Sequence, residues 1–124
     1  MTAPWQNRIT HYAQVAPDTL VNNPRNWRTH PEHQTEALMG VLSEVGIVQN
    51  VIVNERTGFV VDGHARIALA LKIGQPTIPV TYVDLSEDEE ATILATLDPI
   101  AALAGTDHTK LDELLRDVST GDAA

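Results

Sequence analysis

The sequence predicts one small α+β domain. Three observations carry that expectation. Short β-branched runs alternate with helix-period segments along the chain, as at Val51-Ile52-Val53 and Ala37 to Val45. The apolar material is aliphatic, because one Phe, two Tyr and two Trp leave Val, Ile, Leu and Ala to build the core. The length, 124 residues with 43% hydrophobic, supplies one core and not two.

The elements follow in order. In residues 1–31, Pro4, Pro17, Pro24 and Pro31 interrupt any long regular element, so an extended arm is expected, with one short strand near Arg8-Ile9. Pro31 suits a first helical turn. Ala37, Leu38, Val41, Leu42 and Val45 then form one apolar face of a helix over 32–45 that Gly46 ends. Val51-Ile52-Val53 and Phe59-Val60-Val61 read as a hairpin joined by Asn54-Glu55-Arg56-Thr57-Gly58. The second strand runs into Asp62-Gly63, after which Ile67, Ala68, Leu71 and Lys72 resume helical spacing until Gly74 and Pro76. Ile78 to Val83 reads as a strand. Ser86-Glu87-Asp88-Glu89 has the form of a capping box, which starts a helix over 87–97 that is expected to stop near Pro99. Leu111, Leu114, Leu115 and Val118 suggest a last amphipathic helix beginning near Asp107 or Thr109. The chain thus divides into an arm over 1–14, a domain over 15–104, and a C-terminal helix and tail over 105–124.

Composition excludes several functions. With no cysteine, disulfides, thiolate metal sites and cysteine nucleophiles are all ruled out. Neither a signal-like apolar run near the start nor a stretch of membrane-spanning length occurs, so the expected location is the cytoplasm, with no membrane partner. Net charge is −9, with five Lys/Arg against six Asp/Glu in 1–66 and three against eleven in 67–124. A protein that grips duplex DNA through its phosphates needs a basic face, so this balance argues against direct DNA binding and leaves room for a local arginine pocket.

The segment most suited to chemistry is Asp62-Gly63-His64-Ala65-Arg66. A strand ends there, glycine permits close approach by a ligand, and a helix starts with its first N–H groups unpaired. Arg66 is placed for a bidentate contact to phosphate, and His64 for donation to the same group or for proton transfer. The same residues also read as a cap, a turn and a surface charge. Asn22-Asn23-Pro24-Arg25-Asn26-Trp27-Arg28 sets two arginines around a tryptophan, a combination suited either to a nucleotide or to anchoring the arm. His30 and His33 share a helix face without an evident third ligand. Asp98, an acid at an expected helix end, is poorly placed unless a cation lies near it, which makes it a candidate metal ligand.

Taken in order, Asn23-Pro24-Arg25-Asn26-Trp27-Arg28, Gly46-Ile47-Val48-Gln49-Asn50-Val51-Ile52-Val53, Val61-Asp62-Gly63-His64-Ala65-Arg66 and Ile78-Pro79-Val80-Thr81-Tyr82-Val83-Asp84-Leu85-Ser86 resemble the ParB-like N-terminal domain of the ParB/sulfiredoxin-like superfamily, over roughly residues 8–100. The resemblance implies a small mixed sheet flanked by helices. It also implies a nucleoside triphosphate, CTP or ATP, with magnesium. On these residues Gly63, His64 and Arg66 would face phosphates, Arg25 and Arg28 would close over them, Gln49 would lie beside the pocket, and Asp98 would serve the metal, with Asp98 and His64 as the catalytic candidates.

Two departures stand out. Partitioning members carry a glutamate and two successive arginines after the glycine, where this chain has His64, Ala65 and Arg66, and Ala102 stands where an arginine is expected. Sulfiredoxin chemistry is excluded by the missing cysteine. Asp62-Gly63-His64, Leu97-Asp98-Pro99-Ile100 and the Leu-rich final helix further resemble the phage and mobile-element variant, called ParB-like nuclease and often fused to DNA methyltransferases. The functional expectation is a nucleotide- or phosphate-binding domain in DNA metabolism, open between a magnesium-dependent NTPase or nuclease and a non-catalytic regulatory or targeting module of a DNA-modifying protein. DNA would then be reached through a partner domain of a longer protein, and a homodimer fits the same picture.

Overall fold

The computed structural model describes residues 4–27, 29, 32–103, 109–110 and 112–116, with the backbone alone for 97–103. Four strands, β1 (Ile9–Val15), β2 (Val51–Asn54), β3 (Val60–Asp62) and β4 (Ile78–Val83), form one mixed sheet in the order β1-β4-β2-β3. Helices α1 (Glu32–Glu44), α2 (His64–Ile73) and α3 (Glu87–Leu103) accompany it. The α+β expectation, a small mixed sheet with helices, is met.

β2 and β3 pair antiparallel as the expected hairpin, with Ile52 opposite Asp62. On its other side β2 runs parallel to β4, Val51 opposite Val80 and Val53 opposite Tyr82. Being flanked on both sides places β2 at the centre, and its side chains show it: Val51 and Val53 are buried with Val60, Ile67, Ala70, Ile78 and Val80 in one aliphatic core. Each fully buried Val or Ile in such a core contributes roughly 1.5–3 kcal/mol. β-Branched residues serve both needs here, extended backbone and dense packing.

The arm contributes more to the sheet than its sequence suggests. β1 is seven residues long and pairs antiparallel with β4 from Ile9 opposite Val83 to Val15 opposite Ile78, so the short strand expected near Arg8-Ile9 is a full edge strand. Its polar Thr10, His11 and Gln14 remain exposed or half-exposed on the edge, which is why no clean alternation announces it.

Behind the β2–β3 turn, Asn54 is fully buried and fills all its hydrogen-bonding capacity. Its Nδ2 donates to Leu85 O (3.0 Å) and Glu90 Oε1 (3.1 Å), while Oδ1 accepts from Leu85 N (3.0 Å) and Arg56 N (3.3 Å). Thr57 Oγ1 donates to the same Glu90 oxygen at 2.5 Å. This network ties the hairpin to the start of α3 and satisfies the buried Glu90 carboxylate.

Two expected helices differ in detail. α1 forms over the expected span, but none of its residues is buried, and Val41 and Val45 on and beyond it are 53% and 71% exposed. α3 does not stop near Pro99 and continues to Leu103. Proline lacks the N–H that would bond back to residue 95 and crowds that carbonyl, yet one missing bond does not end a helix whose following residues, Ala101, Ala102 and Leu103, are strong helix formers. The position of Asp98 changes with it: it lies inside α3, so the argument from an acid at a helix end no longer applies. Of the expected final helix, residues 112–116 are helical, with Leu114 and Leu115 exposed, whereas Leu111 and Val118 lie outside the described residues.

Candidate functional site

The site is built where β3 hands over to α2. Gly63 takes φ +102°, a left-handed conformation that glycine alone adopts without strain. A Cβ there would stand 2.8 Å from Val51 Cγ2 and 3.3 Å from Val51 Cα, so glycine also lets the first turn of α2 press directly against β2. At the other end of α2, Gly74 takes φ +75° and its N–H closes onto Ala70 O and Leu71 O, the stop expected from the sequence.

Gly63, not Asp62, occupies the cap position, and no side chain caps the first turn of α2, which carries no acidic residue. The partial positive charge of the helix start is therefore left without a carboxylate in that turn. Asp62 instead turns to Arg66, with Oδ2 3.4 Å from Nη2. The same Nη2 lies 3.4 Å from Asn50 O. Both contacts are long for hydrogen bonds. Arg66 Nε is buried and has no acceptor among the described residues, although the side chain is only 16% exposed.

The arm passes over this helix start. Val60 N donates to Val21 O (2.9 Å), which fastens the arm along β3. Two residues on, Asn23 N donates to His64 Nε2 at 3.1 Å. His64 thus uses a ring lone pair to hold the arm, and that nitrogen carries no proton. Asn23 is 4% exposed. Its Oδ1 accepts from Arg25 N (2.9 Å) and its carbonyl from Asn26 N (3.0 Å), folding 23–26 into a turn that presents Arg25 at the surface. Trp27 Nε1 then donates to Leu94 O on α3 at 2.9 Å, so this tryptophan anchors the arm although its side chain is half exposed.

Gly63, His64 and Arg66 stand together at the start of α2, and the Asn23–His64 bond joins to it the 23–26 turn that carries Arg25. Gln49 is exposed in the loop entering β2, one residue before Asn50, whose carbonyl faces Arg66. Arg28 and His30 lie outside the described residues, as does the side chain of Asp98. Sequence reasoning did not single out Asn23, the arm residue most deeply buried at this site. Its role depends on a contact 41 positions away in the chain, and the only local sign was an Asn before Pro24, suited to starting a turn.

Arg66 also lines an apolar groove between α1 and α2, about 450 Å³ in volume, walled by Met39, Leu42, Ile47, Leu69 and Ile73. Met39, Leu42 and Ser43 bring α1 to this groove, yet none of the helix's residues is buried.

A glycine-turned, cationic helix start beside an apolar groove, on a four-stranded mixed sheet, defines a small α+β domain with a site suited to an anion. The chain belongs to the ParB N-terminal domain family, whose model matches residues 2–100. Among solved structures it is similar to the C-terminally truncated chromosome-partitioning protein ParB from Caulobacter crescentus complexed with CTP-γ-S, at 23% identity and TM-score 0.62, over 79% of this chain and 56% of that one. A Pnob8-like ParB-N domain matches at 18% identity and TM-score 0.60 over 74% of this chain and 37% of its own. Sulfiredoxin from Arabidopsis thaliana matches at 17% identity and TM-score 0.56, over 68% of this chain and 98% of its own. The chain therefore spans little more than half of the partitioning protein and less of the second relative. No curated protein sequence matches it. The ParB/sulfiredoxin-like fold expected from the ordered motifs is the fold found.

Proposed function

We propose that this domain binds a nucleoside triphosphate at the start of α2, with CTP the first candidate, and serves DNA metabolism through a partner domain. The observation that carries the reading is Arg66, a guanidinium nearly buried at a helix start, with two long contacts and a buried Nε that meets no acceptor among the described residues. A phosphate oxygen supplies what that fork lacks. The groove that Arg66 also lines is within the volume range of small-ligand pockets and apolar enough to receive a base, which favours a nucleotide over free phosphate. The CTP-γ-S bound to the Caulobacter relative supports the choice of cytidine.

In this reading the first N–H groups of α2 and Arg66 hold phosphate oxygens, Arg25 and Arg28 approach from the arm, and Gln49 borders the base. His64 positions the arm through its lone pair. Among the described residues no three His, Asp or Glu side chains gather as a metal site, and the Asp98 side chain lies outside them. Binding, and not turnover, is the function proposed. A regulatory module beside a DNA-modifying domain, of the phage or mobile-element kind and working in the cytoplasm, is favoured over a nuclease by the net charge of −9, which works against association with a polyanion.

The test is calorimetric titration of CTP, ATP and GTP in magnesium buffer into the wild type and Arg66→Ala. The expected result is saturable binding by the wild type, tightest for CTP, and a loss of about tenfold or more in the variant. Equal affinity in the two proteins overturns the reading.

A further inference from the structure

Asn23 is 4% exposed, and three of its four polar groups have defined partners: the backbone N–H donates to His64 Nε2, the carbonyl accepts from Asn26 N, and Oδ1 accepts from Arg25 N. The fourth, Nδ2, is buried with no partner among the described residues. The assignment of the amide is forced. Rotating it by half a turn would set its NH2 against the Arg25 N–H, donor against donor, so the nitrogen is the atom left over.

A buried amide donor without an acceptor is costly and is rarely kept in a fold without a reason. Asn23 sits where the reason can be read. Its N–H is 3.1 Å from a side chain in the first turn of α2, and Arg66 in that same turn carries another buried donor without an acceptor among the described residues. The Asn23 Nδ2–H, beside the uncapped first turn of α2, and the Arg66 Nε–H of that turn each lack an acceptor, and the chemical complement of each is an oxyanion oxygen. We infer that Asn23 is a ligand-binding residue of this site, donating its Nδ2–H to a phosphate oxygen of the bound polyphosphate, with His64 as the positioning residue that holds it there. This deepens the nucleotide reading and rests on it.

His64 acts through geometry. Its Nε2 lone pair fixes the Asn23 backbone, and Oδ1 on Arg25 N fixes the side chain, so Nδ2 is preorganised before ligand arrives. Glutamine reaches to a similar place as Nε2 with an acceptor oxygen, whereas alanine removes it.

Calorimetric titration with inorganic tripolyphosphate and with CTP, paired with side-chain amide NMR on the full chain, tests the inference. Asn23→Asp keeps an oxygen for Arg25 N and exchanges the donor for a repelling carboxylate. It is expected to lose about tenfold or more in affinity for both probes while Arg25 and Asn26 amides stay protected. His64→Ala is expected to weaken binding and His64→Gln to restore most of it. In the wild type the Asn23 side-chain NH2 signals should shift on adding tripolyphosphate, a readout that needs no variant. If the wild type binds, but Asn23→Asp binds as well and the Asn23 NH2 signals do not move, the inference is wrong and the nucleotide reading survives. If the wild type binds neither probe, both fall together.

Discussion

Single residues decide how closely the parts of this domain approach one another. Gly63 is the sharpest case, because its conformation and its distance to Val51 both forbid a Cβ. Gly63→Ala should destabilise the domain by about 1–3 kcal/mol, visible as a lowered midpoint in urea unfolding. A variant as stable as the wild type would show that the turn relaxes freely. Asn54 makes a different kind of demand. Removing it strips one partner from the buried Glu90 and leaves Leu85 N without its acceptor, so Asn54→Ala should cost about 3 kcal/mol by the same measurement. A loss under about 0.5 kcal/mol, the level of ordinary surface substitutions, would mean that water replaces the network. The role of Asn54 does not show in local sequence. Asn54 reads as an ordinary loop residue, and only its approach to α3, 36 positions on, makes it a core residue.

At the scale of elements, the start of α3 joins sequence-local and long-range bonding. Ser86 and Glu89 form the expected capping box, Glu89 N to Ser86 Oγ (3.2 Å) and Ser86 N to Glu89 Oε1 (2.8 Å). Arg8, just before β1, adds a two-pronged contact to the same carboxylate at 2.6 and 2.8 Å. The Arg8 hydrogen bond first, and then the Ser86 backbone N–H, pull the Glu89 carboxyl from 4.5 down to about 2. Because the folded value is the depressed one, the stabilisation is full above pH 4.5 and fades as pH falls toward 2. Acid unfolding should therefore be steeper for the wild type than for Glu89→Gln across that interval, and parallel curves would refute it. The arm offers a second check. Trp27→Phe removes the bond to Leu94 O and should cost about 1 kcal/mol while speeding tryptic cleavage after Arg25.

The elements also show which signals a sequence carries. The hairpin, α2 with Gly74 behind it, β4 and the capping box were legible because each is set by local chemistry: β-branched runs, a left-handed glycine, a serine followed by a glutamate three residues on. β1 was only glimpsed, since its pairing with β4 supplies the order its own exposed, polar residues do not. α3 runs past Pro99 to Leu103 because the loss of one backbone bond at a proline is outweighed by the helix formers after it, a balance that the proline alone does not show. In the candidate site, Gly63 and Arg66 could be read as a strand-to-helix junction. Asn23 and the acceptor role of His64 could not, because both arise from two segments meeting.

Across the whole molecule, charge and apolar surface point in different directions. The net −9 leaves little to attract a polyanion outside the α2 start. Plain duplex DNA should give no shift in a gel assay at physiological salt, and a strong, steeply salt-dependent shift would contradict that. No helix among the described residues is long and apolar enough to cross a membrane. The exposed Val41, Val45 and Val48 lie in and just after the C-terminal part of α1.

The pairing of β1 with β4 sets a schedule as well as a shape. Ile9 cannot find Val83, nor Arg8 find Glu89, until more than seventy intervening residues have been made and folded back. The β2–β3 hairpin closes over a handful of residues and α2 follows at once, so the middle of the chain can condense early while the first strand waits for the last. Contacts of such long sequence separation slow folding. During that wait β4 presents a bare edge, and β1, made well before it, is what finally covers it.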